Sequence, residues 1–149
     1  MQGNLDPSAR TALVGVIPAQ QAGVGTVTSG WVDMRNLFAL LATLNLGVIG
    51  AAGTVDARID QATDANGAGA KPVAGLAITR IVKAGGDNRQ AAINVRQEDL
   101  DKNAGFRFVR VTVTVGTAAT FLSATLVGFD LRYGAGAANQ LGTVAETVS

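Results

Sequence analysis

The sequence predicts an all-β domain of antiparallel strands, a sandwich or a barrel, and three observations carry that expectation. Strand-like runs recur between turn signals at roughly the 8–12-residue spacing of such folds. Nineteen glycines in 149 residues, set among many alanines, threonines and valines, suit tightly turned strands better than a helical bundle rich in Leu, Glu and Lys. From Val109 the residues alternate strictly, with Val109, Val111, Val113 and Val115 on one face and Arg110, Thr112 and Thr114 on the other.

The chain is organised around Phe106 to Tyr133. Gly116-Thr117-Ala118 breaks the alternating strand, and Thr120 to Tyr133 runs on with Phe121, Leu122, Leu126, Val127, Phe129 and Leu131, apolar on both faces at first. Such a strand is buried on both sides, or covered on one by another molecule. The two strands are expected to pair as the antiparallel centre of the domain. Phe106 and Phe108 have the opposite parity to the valines, so a bulge near Phe108-Val109 is expected to return both sets to the core.

The other elements follow in order. Residues 1–25 hold Pro7, Pro18, a Gln20-Gln21 pair and one apolar stretch from Ala12 to Ile17, and read as an N-terminal arm with one short strand. Some 23 extended residues span about 75 Å, while a compact domain of this length has a radius of gyration near 15 Å. The arm can reach a neighbour, or it can lie as an edge strand of its own sheet. Thr26 to Met34 alternates weakly around Gly30 and carries the sole tryptophan, Trp31. Asn36 to Gly50 has helical propensity, yet the parity of Phe38, Leu40, Ala42, Leu44, Leu46 and Val48 extends farther, which predicts a long strand. In Thr54 to Ala62, Val55, Ala57 and Ile59 point in, and Asp56, Arg58 and Asp60 form a solvated outer row. Asp64 to Pro72 is a loop, Val73 to Val82 a strand ending near Arg80, Arg89 to Arg96 a strand with Ala91, Ile93 and Val95 inward, and Gln97 to Gly105 a polar helical turn. The β-domain thus spans residues 26–133, and residues 134–149, Gly/Ala-rich and then polar, form a flexible C-terminal arm. The predicted core is Leu40, Leu44, Val55, Ile59, Ile93, Val95, Val111, Val113, Phe121 and Phe129.

Composition excludes whole classes of function. With 12 basic and 11 acidic side chains the net charge is +1, which supplies no field toward nucleic acid or anionic lipid. No stretch suits a transmembrane helix, since Asn36 to Gly50 is too short and is interrupted by Thr43 and Asn45. The start, MQGNLDPSAR, shows no secretion signal, so use without classical export is expected. The sequence has no cysteine and no histidine, which removes disulfides, thiol chemistry, the commonest general base and the commonest metal ligand. A charged fraction of 15% is low, as on a surface partly covered by neighbouring copies.

Catalytic and binding patterns fail one by one. The loop from Asp64 to Gly69 begins like a calcium loop, but Ala68 and Gly75 stand where ligating side chains are required. Lys71 follows Ala70 and no glycine, so there is no phosphate loop, and Gly134-Ala135-Gly136 ends in Asn139 without a βαβ setting. Glu98, Asp99 and Asp101 read as a solvated turn and not as a glycosidase pair. No enzyme activity, metal or cofactor is expected.

The order of segments GTVTSGWVDMRNLFALLATLNLG, GTVDARIDQATDANGAGAKPVAGLAITRI and AAINVRQEDLDKNAGFRFVRVTVTVGTAA resembles a family of small tailed-bacteriophage virion proteins, encoded among head structural genes and related to capsid decoration (cement) proteins. The resemblance covers about Gly25 to Tyr133 and is most specific at Gly30-Trp31-Val32-Asp33-Met34 and Gly105-Phe106-Arg107-Phe108-Val109-Arg110. It implies an all-β antiparallel sandwich, jelly-roll-like, made in the host bacterial cytoplasm and placed on the exterior of the capsid. The partners it implies are the major capsid protein and copies of the chain itself, with a homotrimer as the expected arrangement. Leu13, Val14, Val16 and Ile17 of the arm, with Trp31, are the candidate interface residues, and removing residues 1–23 is expected to leave a folded domain. Two rivals stand beside this reading: another virion station, such as a tail tube, head spike or fibre base, and a carbohydrate-binding sandwich that uses Trp31 or Tyr133 as a platform.

Overall fold

The computed structural model describes residues 3–149. Its strands are β1 (Ala12–Ala22), β2 (Gly25–Thr28), β3 (Val32–Asp33), β4 (Leu37–Ile49), β5 (Thr54–Ala62), β6 (Lys71–Ala77), β7 (Ile81–Val82), β8 (Gln90–Arg96), β9 (Phe108–Gly116) and β10 (Thr120–Leu131). They form two antiparallel sheets. The first has the order β1-β10-β4-β8, and the second β2-β9-β5-β6, with β3 beside β9 and β7 beside β5. With the two-residue β3 and β7 set aside, the first, eighth, third and sixth strands share one sheet and the second, seventh, fourth and fifth the other. That alternation is the double Greek key of a jelly roll.

The core lies between the sheets. Val14, Ile17, Leu40, Leu44, Leu122 and Leu126 of the first sheet meet Val55, Ile59, Val111, Val113 and Val115 of the second, all buried. Ile93 and Val95 on β8 and Met34 in the helical turn before β4 complete it. The parity read for β5, β8, β9 and the middle of β4 holds throughout this layer.

Three expectations are corrected by the register. β9 and β10 do not pair with each other: each is central in its own sheet, and residues 117–119 carry the chain across the top of the sandwich. Thr117 takes a φ of 69° in that crossing. No bulge interrupts β9 at Phe108-Val109, because Val32 pairs Val109 and Asp33 pairs Phe108 in continuous register. Phe108 stays on the outer side of the second sheet, where Arg107 stacks on its ring at 5.0 Å. The third correction concerns β10, whose core-facing residues are Thr120, Leu122, Ala124 and Leu126, leaving Phe121 and Phe129 outward and exposed.

Two expected strands are divided. Between β2 and β3 the chain leaves β9 at Ser29, whose backbone N–H donates to Val111 O and whose hydroxyl accepts from Val111 N, both at 3.1 Å. That exchange keeps β9 hydrogen-bonded across the gap. Val73 to Val82 splits into β6 and β7, because Arg80 turns aside to donate to Asp56 at 3.0 Å.

The termini also differ from the expected arms. β1 is an edge strand of the first sheet, paired with β10 from Ala12–Gly128 to Ala22–Thr120, and Ala12, Val14, Ile17 and Ala22 are buried. The domain boundary at 25/26 therefore cuts through the sandwich. At the other end, residues 135–138 form a helical turn that buries Ala138, and Asn139 and Gln140 tie to β1. Leu13 N–H donates to Asn139 Oδ1 at 2.9 Å, and Gln140 N–H donates to Leu13 O at 2.7 Å. Residues 134–140 thus belong to the body, and they occupy part of the β1 edge that would otherwise template another strand.

The turn before β8 is pinned by charge. Asp87 Oδ1 accepts from Ile49 N–H at 2.8 Å, and its other oxygen lies 3.0 Å from Lys83 Nζ, which donates to Ile49 O at 2.7 Å. The Ile49 N–H first, and Lys83 after it, hold the Asp87 carboxyl below the usual carboxylate range. The N–H groups of Ala68 and Asn66 do the same for Asp64. A carboxyl lowered on folding stabilises the fold above its unfolded pKa of about 3.9 and loses that contribution as pH falls through the folded value. The melting temperature is therefore expected to fall below about pH 4. Asp87→Asn should flatten part of that fall, and an acid limb identical to wild type would show that these contacts do not titrate with folding.

Candidate functional site, an uncharged sheet face

Four strands build the outer face of the first sheet, and their sequences dictate its character. β1, β4, β8 and β10 contain only two charged residues, Arg96 and Asp130, each at or beside a strand end. The strands of the second sheet hold Asp33, Asp56, Arg58, Asp60, Lys71 and Arg110. One sandwich therefore presents one charged side and one side whose strands carry charge only at their ends.

The register sets the outward residues in rows. Leu13, Val127, Leu41 and Asn94 stand opposite one another across the four strands, and Val16, Thr125, Thr43 and Ala92 form the next row. Phe129, Ala39 and Arg96 flank the first row on one side, and Ser123, Asn45 and Gln90 flank the second on the other. Beyond them Phe121 lies over Gly47, where an added Cβ would fall 2.9 Å from the Phe121 Cβ. Only glycine lets that ring lie down on the sheet. Phe121 is 49% exposed, Phe38 47% and Val48 51%. Two cations stand at the margins of this face: Arg96 is engaged by Glu98 at 2.9 Å and Asp99 at 3.6 Å, and Arg132 stacks on the Phe38 ring at 4.8 Å.

The expected interface residues are split by this geometry. Leu13 and Val16 face outward, in register with Val127 and Thr125. Val14 and Ile17 are core residues at 4% and 1% exposure, so no partner can touch them. They are corrected from interface to core because β1 is paired in its own sheet. Trp31 lies on the opposite side of the sandwich. Phe121, Phe129 and Val127 on β10 and Leu41 on β4 are outward residues that the strand pattern did not nominate, although the two-faced apolarity of β10 was the signal for the first three.

Trp31 belongs to a cluster of ions around one buried carboxylate. Asp60, expected in a solvated row, is 3% exposed. Its Oδ1 accepts from Arg58 Nε at 2.8 Å, and its Oδ2 accepts from Thr112 Oγ1 at 2.6 Å. Arg110 Nε lies 3.7 Å from the same carboxylate, and the Arg110 guanidinium stacks over the Trp31 ring at 4.4 Å. Gly67, at a φ of 84°, sits so close that a Cβ there would fall 2.7 Å from the indole Nε1. Guanidinium and loop backbone together pack on Trp31, which is left half-buried. Tyr133 is exposed, beyond the end of β10. Among the described residues no group of three metal-ligating side chains is assembled, and no helix is long and apolar enough to cross a membrane.

No protein-family model matches the chain, and no curated protein matches it. Solved structures similar to it include a chain of the cowpea mosaic virus empty virus-like particle, with a TM-score of 0.44 and 9% identity over 84% of this chain and 82% of that one. A chain of the naturally occurring empty particles of the same virus gives 0.41 and 8% over 86% and 88%. The CBM22-2 xylan-binding domain of Paenibacillus barcinonensis Xyn10C gives 0.39 and 8% over 86% and 94%. At these values none of the three carries an argument about what this chain does.

Proposed function

We propose that the chain is a bacteriophage virion structural protein that decorates the outside of the head and stabilises it, acting by contact and without catalysis. The observation that carries this reading is the outer face of the first sheet: its central rows mix apolar and uncharged polar side chains, and its strands carry charge only at their ends, while the strands of the second sheet hold six charged residues. Soluble monomers rarely expose large contiguous apolar patches, and charge is depleted at interface centres. The segment order supports the same reading through its resemblance to head-associated phage proteins. The partners are the major capsid protein and copies of the chain, and binding stabilises the assembled shell by mass action because only the lattice offers the site.

The test is occupancy on isolated heads. Purified chain added to undecorated particles is expected to bind in proportion to the coat lattice and to raise the temperature at which heads release their contents. Binding confined to vertices or to the tail would place the protein at another virion station. Failure to bind any particle, together with glycan binding abolished by Trp31→Ala, would assign it to carbohydrate recognition instead.

A further inference from the structure

We propose that the outer face of the first sheet is closed by a second copy of this chain, stacked face to face as an isologous pair. The proposal rests on reading that face as an assembly surface, and it names the partner. Charge makes the first argument. A face with fixed charges selects a partner of the opposite pattern, whereas this one brings none to its centre: Arg96, at one margin, is paired with Glu98 and Asp99 of the same chain, and Arg132, at the other, stacks on Phe38. A copy of itself therefore meets it without repulsion and without stranding an ion in the contact.

The rows make the second argument. A two-fold axis parallel to the strands and lying between the sheets sets like rows on like rows. Within each row the order of strands is reversed, so Val127 packs on Leu41 of the second copy, Leu13 stands opposite Asn94, and Thr125 meets Thr43, hydroxyls that both donate and accept. Sheets stacked in this way lie about 10 Å apart, as they do inside a sandwich. Area makes the third argument. Four strands about 4.8 Å apart and some ten residues long give a footprint of roughly 650 Å² on each copy, about 1,300 Å² in all. That reaches the roughly 1,200–2,000 Å² of a specific, stable interface. A face that pairs with itself closes after two copies, which distinguishes this contact from the three-fold ring expected from the sequence.

The experiment is sedimentation velocity on the intact chain, free of heads, across a concentration series. The expected mass is about twice the 15.1 kDa of one chain. Val127→Arg, which puts a cation on each side of the contact centre, is expected to weaken self-association at least about 100-fold, the scale of losing a central hot spot. Its melting temperature, read at concentrations where both proteins are single chains, should match wild type. Thr26→Arg, on the exposed outer side of the second sheet, is expected to leave the pair intact. Should Val127→Arg fail to fold, Leu13→Arg at the sheet edge gives the same reading. A single-chain mass at every concentration, a three-chain mass, or a pair indifferent to these arginines overturns the proposal. A chain that stays single yet decorates heads refutes the pair alone; a pair that never binds heads refutes the decoration reading alone.

Discussion

Deleting residues 1–23 is expected to unfold the protein, not to release a functional arm from an intact domain. β1 supplies Ala12, Val14, Ile17 and Ala22 to the core and is the sole neighbour of β10 on its outer edge. Burying Val14 and Ile17 contributes about 1.5–3 kcal/mol each, and the whole domain is expected to be stable by only about 5–15 kcal/mol. The deletion also bares the unpaired backbone of β10, whose outer residues include Phe121 and Phe129. An apolar edge of that kind templates aggregation. The truncated chain should therefore be recovered mainly in the insoluble fraction, with no cooperative melt in what remains soluble. A sharp thermal transition near that of wild type would show that β1 is dispensable.

Val113→Asp is expected to have an effect of the same order through a single side chain. Val113 is fully buried on β9, with Val27 of β2 on one side, Ala57 of β5 on the other, and the first sheet across the core. Among the described residues the core layer is built of hydrophobic side chains, so the carboxylate must be buried unpaired or take up a proton. Either route costs several kcal/mol. Far-UV circular dichroism should show loss of the β signal at room temperature, while Thr114→Asp, one residue along on the outer side, should fold. Equal stability of the two variants would mean that the parity assigned to β9 is wrong.

Much of this molecule was legible in its residues. Strict alternation in β5, β8 and β9 placed Val55, Ile59, Ile93, Val95, Val111 and Val113 in the core, because a strand facing solvent on its other side must alternate. Glycine- and asparagine-rich breaks marked the loops, and the length of the alternating run in β4 outweighed its helical propensity. β10 was the exception. Its apolar residues occupy both faces, so periodicity supplies no reason to prefer Leu122 and Leu126 over Phe121 and Phe129 as core.

That this is an all-β chain without histidine or cysteine chemistry follows from composition and from a period of two that each strand carries locally. That β9 and β10 part into different sheets, that β1 is wall and not arm, and that Asp60 is buried emerged from the folded chain alone. The physical reason is that these depend on which strand lies alongside which. Hydrogen-bond pairing between strands far apart in the chain leaves no mark on either strand alone. The uncharged face is set by the same long-range pairing, which brings β1, β10, β4 and β8 side by side and turns their apolar residues the same way.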